Sequence, residues 1–179
     1  MSDEEIKVFI DGVVRYFERV TGEPAEVDPP YLKGEDSVTL DFTGVIGISG
    51  RHRGAVYFTS GADQLTELLR RLGETEAGFS DHEDLVGEVA NTIAGNARQY
   101  FGSEFLISVP TVLFGRPDKI AFPRHLKNFV IPITWRSHRS YLIICLERAT
   151  VERAERAERV ERDAAGLSSW PGVIADLQP

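Results

Sequence analysis

The sequence has one cysteine, no long apolar run and no basic N-terminus, and each shortage excludes a class of protein. Cys145 has no second thiol with which to form an internal disulfide, and its apolar surroundings predict a small core residue. No stretch approaches the roughly 18–20 apolar residues of a membrane span. The chain opens with Asp3, Glu4 and Glu5 rather than with a basic segment. We therefore expect no secretory signal and a cytoplasmic protein.

Positive charge is also scarce. The chain has 20 basic and 28 acidic residues, which gives a formal net charge of -8. Such a surface repels a phosphate backbone, and no cluster of lysine, arginine and aromatic residues offsets it. We therefore expect no nucleic-acid partner. A basic amphipathic helix is missing as well, so no membrane insertion is expected. The length of 179 residues suits one domain with a substantial core.

Hydrophobic spacing predicts helices packed on a sheet. Apolar residues at helical spacing predict helices at about 2–22, 60–73 and 80–102. Ser80 and Glu83 have the spacing of a capping box at the start of the third helix. Alternating apolar residues predict strands at about 37–48, 55–58, 105–109, 112–114, 129–133 and 141–146, and the proline-rich stretch 23–36 is predicted as a connector. The pattern indicates an α/β (α+β) fold, one largely antiparallel sheet packed against long helices.

The last 30 residues have a different composition. From 150 to 165 a Glu-Arg-Ala/Val triplet repeats, and glutamates precede arginines by four residues, as in Glu152 and Arg156. Such pairs stabilise a solvated helix, and a contact helix for a partner or second subunit is the alternative. Trp170 stands out in the tail that follows. We divide the chain into a domain at 1–149 and a charged helix with its tail at 150–179.

The segment 84–101 has the most informative pattern. At about 100° per residue, its apolar residues share one half of the helix; they are Leu85, Val86, Val89, Ala90, Ile93, Ala94 and Ala97. Asp84, Glu88, Asn91 and Gly95 fall in a narrow stripe on the opposite side. A carboxylate and an amide therefore stand one turn apart and point away from the core.

Two glycines, Gly87 and Gly95, border this carboxylate and amide. Glycine inside a helix costs about 1 kcal/mol relative to alanine, so its presence suggests that another group approaches closely. Any amphipathic helix also exposes polar residues, so on geometry alone an ordinary solvated surface remains the alternative.

The spacing Asp84-x3-Glu88-x2-Asn91, in the string GEVANTIAGNARQYF, resembles the signature of the CheX/CheC phosphatases of bacterial chemotaxis. The upstream string VIGISGRHRGAVYFTSGADQLTELL resembles the hairpin and helix of that family, and the downstream string FLISVPTVLFG resembles the strand pair after its catalytic helix. The resemblance covers roughly residues 1–148. Because the motif occurs once, the chain is similar to CheX rather than to CheC, which has two. The resemblance implies a CheC-like fold and a homodimer.

The resemblance also implies a reaction, the hydrolysis of the aspartyl phosphate on a phosphorylated CheY-like receiver domain in chemotaxis or two-component signalling. Asn91 and Glu88 would be the catalytic residues: Asn91 would orient the attacking water, and Glu88 would pair with a receiver lysine. Asp84, Glu88, Gly87 and Gly95 would contact the partner. The chain would bind no cofactor or metal of its own, and Mg2+ would be held by the receiver domain.

Two other functions use the same features. A non-catalytic adaptor would recognise receiver domains or the flagellar switch through the same face, without shortening the lifetime of the phosphate. A structural homodimerisation module would use the sheet edge and the charged helix, and would not distinguish a phosphorylated regulator from an unphosphorylated one.

Overall fold

The computed structural model describes residues 1–34, 38–74, 76–115, 122–123 and 126–149. In this part of the chain the elements are, in order, α1 (Asp3–Thr21), β1 (Glu26–Val27), β2 (Tyr31–Leu32), β3 (Phe42–Gly50), β4 (His52–Ser60), α2 (Ala62–Arg71), α3 (Phe79–Phe101), β5 (Phe105–Ile107), β6 (Thr111–Phe114), β7 (Asn128–Trp135) and β8 (His138–Arg148). The three predicted helices are all present.

The strands form one sheet in the order β1-β7-β8-β4-β3-β5. In addition, β2 pairs with β7, and β6 pairs with β3. The strands that pair with β3 or β7 run antiparallel to them; Gly44 stands opposite Phe58, for example, and Val130 opposite Ile143. The predicted architecture, an antiparallel sheet with helices packed on it, is therefore confirmed.

The two faces of the sheet pack into separate clusters, because successive residues of a strand point to opposite sides. Val56 and Phe58 join side chains of all three helices in the main core. Tyr57, between them, belongs to a second cluster with Ile143 and Cys145. Cys145 is buried, as predicted, and burial raises the pKa of its thiol to about 12.

Helix α3 begins one residue before the predicted start and has a different cap. Its first residue is Phe79, and the N-cap is Gly78. The carboxylate of Asp81 accepts a hydrogen bond of 2.7 Å from the N–H of Gly78. The predicted capping box of Ser80 and Glu83 is therefore wrong, since the carboxylate that closes the first turn lies three residues after Gly78.

The predicted connector at 23–36 contains two short strands. β1 lies opposite Ile133 and Thr134 of β7, and β2 lies opposite residues 129–130 of the same strand. Between them, the N–H of Asp28 donates to the carbonyl of Pro132 at 3.1 Å. Backbone pairing with a strand about 100 residues away therefore orders a segment whose local sequence indicates only a loop.

The charged repeat and the Trp170 tail lie outside the described residues. The division of the chain at 149 and the predicted helix at 150–165 therefore stay predictions. Among the helices that the structure describes, none is long and apolar enough to cross a membrane.

Candidate functional site

Helix α3 is buried along one half of its surface and accessible along the other. The predicted apolar half is buried throughout; it comprises Leu85, Val86, Val89, Ala90, Ile93, Ala94 and Ala97. On the opposite stripe, Asp84 and Glu88 are exposed, whereas Asn91 and Gly95 are half-buried. The predicted orientation of this helix is confirmed, and its polar stripe (Asp84, Glu88, Asn91 and Gly95) lies at the surface.

A glycine in β3 sets the distance between this helix and the sheet. A Cβ at Gly44 would lie 2.5 Å from the carbonyl oxygen of Val86 and 3.0 Å from the Cβ of Ala90. Both atoms belong to the buried face of α3, so a side chain at this position would displace the helix from a close-packed interface. The lack of a side chain at Gly44 therefore helps to determine where the polar stripe lies.

Helix α1 packs along one side of the stripe and runs antiparallel to α3. The rings of Phe9 and Phe101 are 6.0 Å apart, and an added Cβ at Gly12 would lie 3.8 Å from the Cγ2 of Ile93. Because the two helices run antiparallel, residues further along α1 face earlier turns of α3. Glu88 is rotated about 60° from Asn91 toward this side of the helix.

The other side of the stripe is bounded by the β5–β6 segment, which is the turn between these two strands together with the start of β6. An added Cβ at Gly87 would lie 3.3 Å from both the Cβ of Pro110 and the Cγ2 of Val112. Gly87 is itself buried. The close approach that this glycine permits is therefore made by the chain's own β5–β6 segment, and its predicted role as a partner contact stays a prediction. Asn91 lies only about 40° around the helix from Gly87, on the same side.

Gly95 differs from Gly87 in its surroundings. Nothing lies within 4 Å of the position that a Cβ would occupy there. Gly95 therefore keeps an open surface at the C-terminal end of the polar stripe, one turn beyond Asn91. Its predicted contact with a partner stays a prediction.

The polar groups of the stripe are without partners in the part of the chain that the structure describes. Among the described residues, the side chains of Asp84, Glu88 and Asn91 form no hydrogen bond or ion pair. The Asn91 amide can both donate and accept hydrogen bonds, and an ionised Glu88 accepts them. A neutral bifunctional group and an anionic group are thus available side by side to an incoming molecule.

Tyr16 of α1 is electrostatically coupled to this stripe, and sequence reasoning did not single it out. Its side chain is 3% exposed. Burial raises the pKa of the phenol, the negative charge of Glu88 raises that pKa further, and Arg19 lowers it. In the sequence, Tyr16 follows Phe9 at helical spacing, which is the ordinary pattern of a core residue and gives no signal of a site.

Within the described residues, no three His, Cys, Asp or Glu side chains come together in a group that could hold a metal ion.

The family model described as Chemotaxis phosphatase CheX matches residues 42–134. This match spans just over half of the 179 residues and includes β3, β4, α2, α3 and most of β7. The chain belongs to the CheX family. The matched region contains the complete polar stripe of α3, so the family assignment and the candidate site refer to the same part of the molecule.

Solved structures of similar proteins support the CheX assignment. A putative chemotaxis protein from Desulfovibrio vulgaris Hildenborough is 28% identical with a TM-score of 0.72, and the alignment covers 80% of this chain and 97% of that protein. A CheC-like superfamily protein from Shewanella sp. PV-4 is 25% identical with a TM-score of 0.73, over 82% and 99% of the two chains. The predicted CheC-like fold is confirmed.

A third solved structure is a complex of CheX from Borrelia burgdorferi with CheY, BeF3 and Mg2+. That CheX is 18% identical to this chain with a TM-score of 0.66, over 80% of this chain and 98% of the other. At this level of sequence identity, the likeness shows a shared fold and nothing more. None of the curated proteins matches the chain in sequence.

Proposed function

We propose that this chain hydrolyses the aspartyl phosphate of a CheY-like receiver domain through the polar stripe of α3. The observation that carries the proposal is that Glu88 and Asn91 lie next to each other on one accessible stripe. Neither side chain has a hydrogen-bond partner among the described residues. Membership of a family of chemotaxis phosphatases supports the reaction. The related CheX from Borrelia burgdorferi, which forms a complex with CheY, supports the partner.

Asn91 is the residue suited to the chemical step. Hydrolysis requires a water in line with the P–O bond that breaks, and catalysis of this kind is mostly positioning and charge stabilisation. The amide can hold such a water without becoming charged. The water oxygen attacks phosphorus, the bond to the receiver's aspartate breaks, and the aspartate leaves as a carboxylate. The half-buried position of Asn91, near the β5–β6 segment, restricts the directions in which its amide points.

Glu88 is suited to recognition. The family resemblance implies that it pairs with a lysine at the receiver's active site, which sets the register of the two proteins. Its exposed position leaves the carboxylate accessible to a partner cation. Mg2+ would be held by the receiver domain, where it would neutralise the phosphoryl oxygens.

The test is phosphate release from a phosphorylated receiver domain of the same organism, with and without this protein. Asn91→Ala should lower the acceleration on the order of 10²-fold, or about 2.7 kcal/mol, because one positioning contact is lost. The helix should survive, since alanine is the best helix former. The matched control is Asn96→Ala, another half-buried asparagine of α3, located off the stripe.

Two outcomes would contradict the proposal in different ways. If the wild type does not accelerate release above the receiver's own rate with any receiver of the organism, the non-catalytic adaptor becomes the better explanation. If the wild type accelerates release and Asn91→Ala is equally active, the catalytic residue has been assigned wrongly.

We also propose that the protein is a homodimer joined at the β5–β6 edge of the sheet. In the described part of the chain these strands pair only with β3. Val109 and Phe114 at this edge are 82% and 62% exposed, which is unusual for large apolar side chains. A two-fold pairing would cover both the apolar side chains and the unpaired backbone of an edge strand.

Analytical ultracentrifugation tests the dimer. The wild type should sediment at twice the monomer mass of 19.9 kDa at micromolar concentration, and Phe114→Glu should shift it toward the monomer. Leu72→Glu, at a 50% exposed leucine after α2, is the control and should stay dimeric. A wild type that sediments only as a monomer would contradict the proposal.

A further inference from the structure

The line of side chains through Asp84 and Asn91 continues beyond the polar stripe to Arg98. These three residues are spaced seven apart in the sequence, and seven residues are close to two full turns of a helix. Each therefore lies only about 20° around α3 from the one before it, and about 10 Å further along the axis. Gly95, where nothing lies within 4 Å of an added Cβ, occupies the turn between Asn91 and Arg98. Because Arg98 is itself exposed, the line is accessible up to that residue.

The charge along this line changes sign. Asp84 and Glu88 are exposed carboxylates at one end, and Arg98 is an exposed cation at the other. Among the described residues, the Arg98 side chain forms no hydrogen bond or ion pair. Glu104, the next acidic residue in the sequence, pairs instead with Arg51. The guanidinium is therefore available to a partner, as are the polar groups of the stripe.

Stabilisation of the helix end explains only part of this arrangement. A cation in the last turn of a helix interacts favourably with the carbonyl end of the helix dipole, and Arg98 lies in the last turn of α3. Gln99 and Tyr100 are exposed in the same turn. Either position would serve the dipole equally, but only position 98 lies within about 20° of Asn91. The position of the cation in line with Asn91 therefore needs a second explanation.

The chemistry of the guanidinium indicates an anion with two oxygens. Arginine presents paired N–H donors in one plane, which match a carboxylate or a phosphate. The backbone positions of Asn91 and Arg98 are about 10 Å apart along the helix axis. A phosphoryl group that meets Asn91 therefore lies about two turns away from the position of Arg98. The anion that fits Arg98 is a carboxylate on the receiver surface, beside the phosphorylation site.

We propose that Arg98 is a further recognition residue, which pairs with a surface carboxylate of the receiver domain. This inference rests on the proposed function for the identity of the partner. Together with Glu88, which would pair with a receiver cation, Arg98 sets the direction in which the receiver lies along α3. A receiver docked in the reverse direction would bring its cation to Arg98 and its carboxylate to Glu88. Like charges would then face each other at both ends.

The first experiment measures, by calorimetry, the binding of a receiver domain that carries beryllium fluoride and Mg2+. Arg98→Gln should lower the affinity about 3- to 10-fold, because a hydrogen bond between charged groups is lost. Arg98→Glu should lower it roughly 10-fold further, because two like charges then face each other.

The matched control for Arg98→Glu is Arg70→Glu. Arg70 is also an exposed arginine in the last turn of a helix, but it belongs to α2. The control changes the net charge equally and removes a cation from a helix end, and it should bind like the wild type. Equal affinities of Arg98→Glu and Arg70→Glu would overturn the inference.

A charge-reversal rescue identifies the partner carboxylate and separates pairing from misfolding. Each exposed Asp or Glu of the receiver is replaced in turn by Lys, and each variant is titrated with the wild type and with Arg98→Glu. One receiver variant should bind the wild type weakly and Arg98→Glu more tightly, because the pair is restored with its charges exchanged. If no receiver variant does so, Arg98 pairs with no receiver carboxylate and the inference is overturned.

Turnover distinguishes a carboxylate from the phosphoryl group as the anion. Arg98→Gln should raise KM by the factor by which it lowers the affinity, and kcat should change little. Binding of the unphosphorylated receiver should weaken by the same factor. A fall in kcat with unchanged affinity would overturn the inference, since Arg98 would then act on the phosphoryl group.

The same measurements separate this inference from the proposed function. If the wild type binds a receiver and hydrolyses its phosphate while the Arg98 variants match it, only the inference about Arg98 fails. If the wild type binds no receiver of the organism in any state, the proposed function fails and the role of Arg98 fails with it.

Discussion

Gly95 lies at the C-terminal end of the polar stripe, and its replacement by alanine should change stability and partner binding in opposite directions. The position is in the interior of α3, and nothing lies within 4 Å of the point that an added Cβ would occupy. Alanine is favoured over glycine in a helix by about 0.8–1.0 kcal/mol. Since nothing has to move, most of this difference should appear as added stability. For a chain of this size, it corresponds to a rise in Tm of about 2–4 °C.

The same methyl group should weaken binding to the receiver domain. If the partner packs against the stripe at Gly95, the new methyl intrudes into a close-packed interface, and overpacking typically costs about 1–3 kcal/mol. The affinity should fall about 5- to 150-fold. Calorimetric titration with a receiver carrying beryllium fluoride measures this loss, and thermal unfolding measures the gain in stability.

Gly87→Ala is the control for Gly95→Ala. Its Cβ would lie 3.3 Å from Pro110 and Val112, so the gain in helix propensity should be offset by crowding, and the Tm should not rise. If Gly95→Ala lowers the Tm, the added methyl group meets a neighbour and the surface at Gly95 is not open. If it raises the Tm and leaves the affinity at the wild-type value, no partner approaches the helix at this glycine.

Three further predictions test other parts of the reasoning. Glu88→Lys should abolish receiver binding in calorimetry, because it reverses the charge that would pair with a lysine of the receiver. The control Glu26→Lys, on β1, should bind like the wild type. Equal affinities of the two variants would contradict the role assigned to Glu88. Gly44→Ala should lower the free energy of unfolding in denaturant by about 1–3 kcal/mol, since its Cβ would meet the backbone of Val86 at 2.5 Å; an unchanged value would show that α3 can shift freely.

The third of these concerns Cys145, which should resist alkylation at pH 8.5 in the folded protein, because its pKa of about 12 lowers the thiolate fraction roughly a thousandfold below that of an ordinary cysteine. Rapid labelling without unfolding would refute its burial. The raised pKa of Cys145 also makes the stability of the protein depend on pH. Its contribution to the free energy of unfolding is fully present below about pH 9 and is lost as the pH rises toward 12.

The start of α3 shows why local signals alone mislocated a helix end. Ser80 and Glu83 have good capping spacing, yet Phe79 is already helical. The Phe79 ring lies 5.3 Å from Phe42 of β3 and 5.4 Å from Phe114 of β6. These contacts join residues about 35 positions apart in sequence, so no pattern within the helix could indicate them.

The sequence by itself determined which half of α3 is buried and which residues share its polar stripe, because helical periodicity is a local property that seven apolar residues specify redundantly. It also identified Glu88 and Asn91 as neighbours, since residues three apart meet on any helix. Only the tertiary structure decided that Gly87 faces Pro110 and that the charge of Glu88 raises the pKa of Tyr16. Both effects depend on how α1 and the β5–β6 segment pack against α3, and such long-range packing leaves no mark on the spacing of residues within one helix.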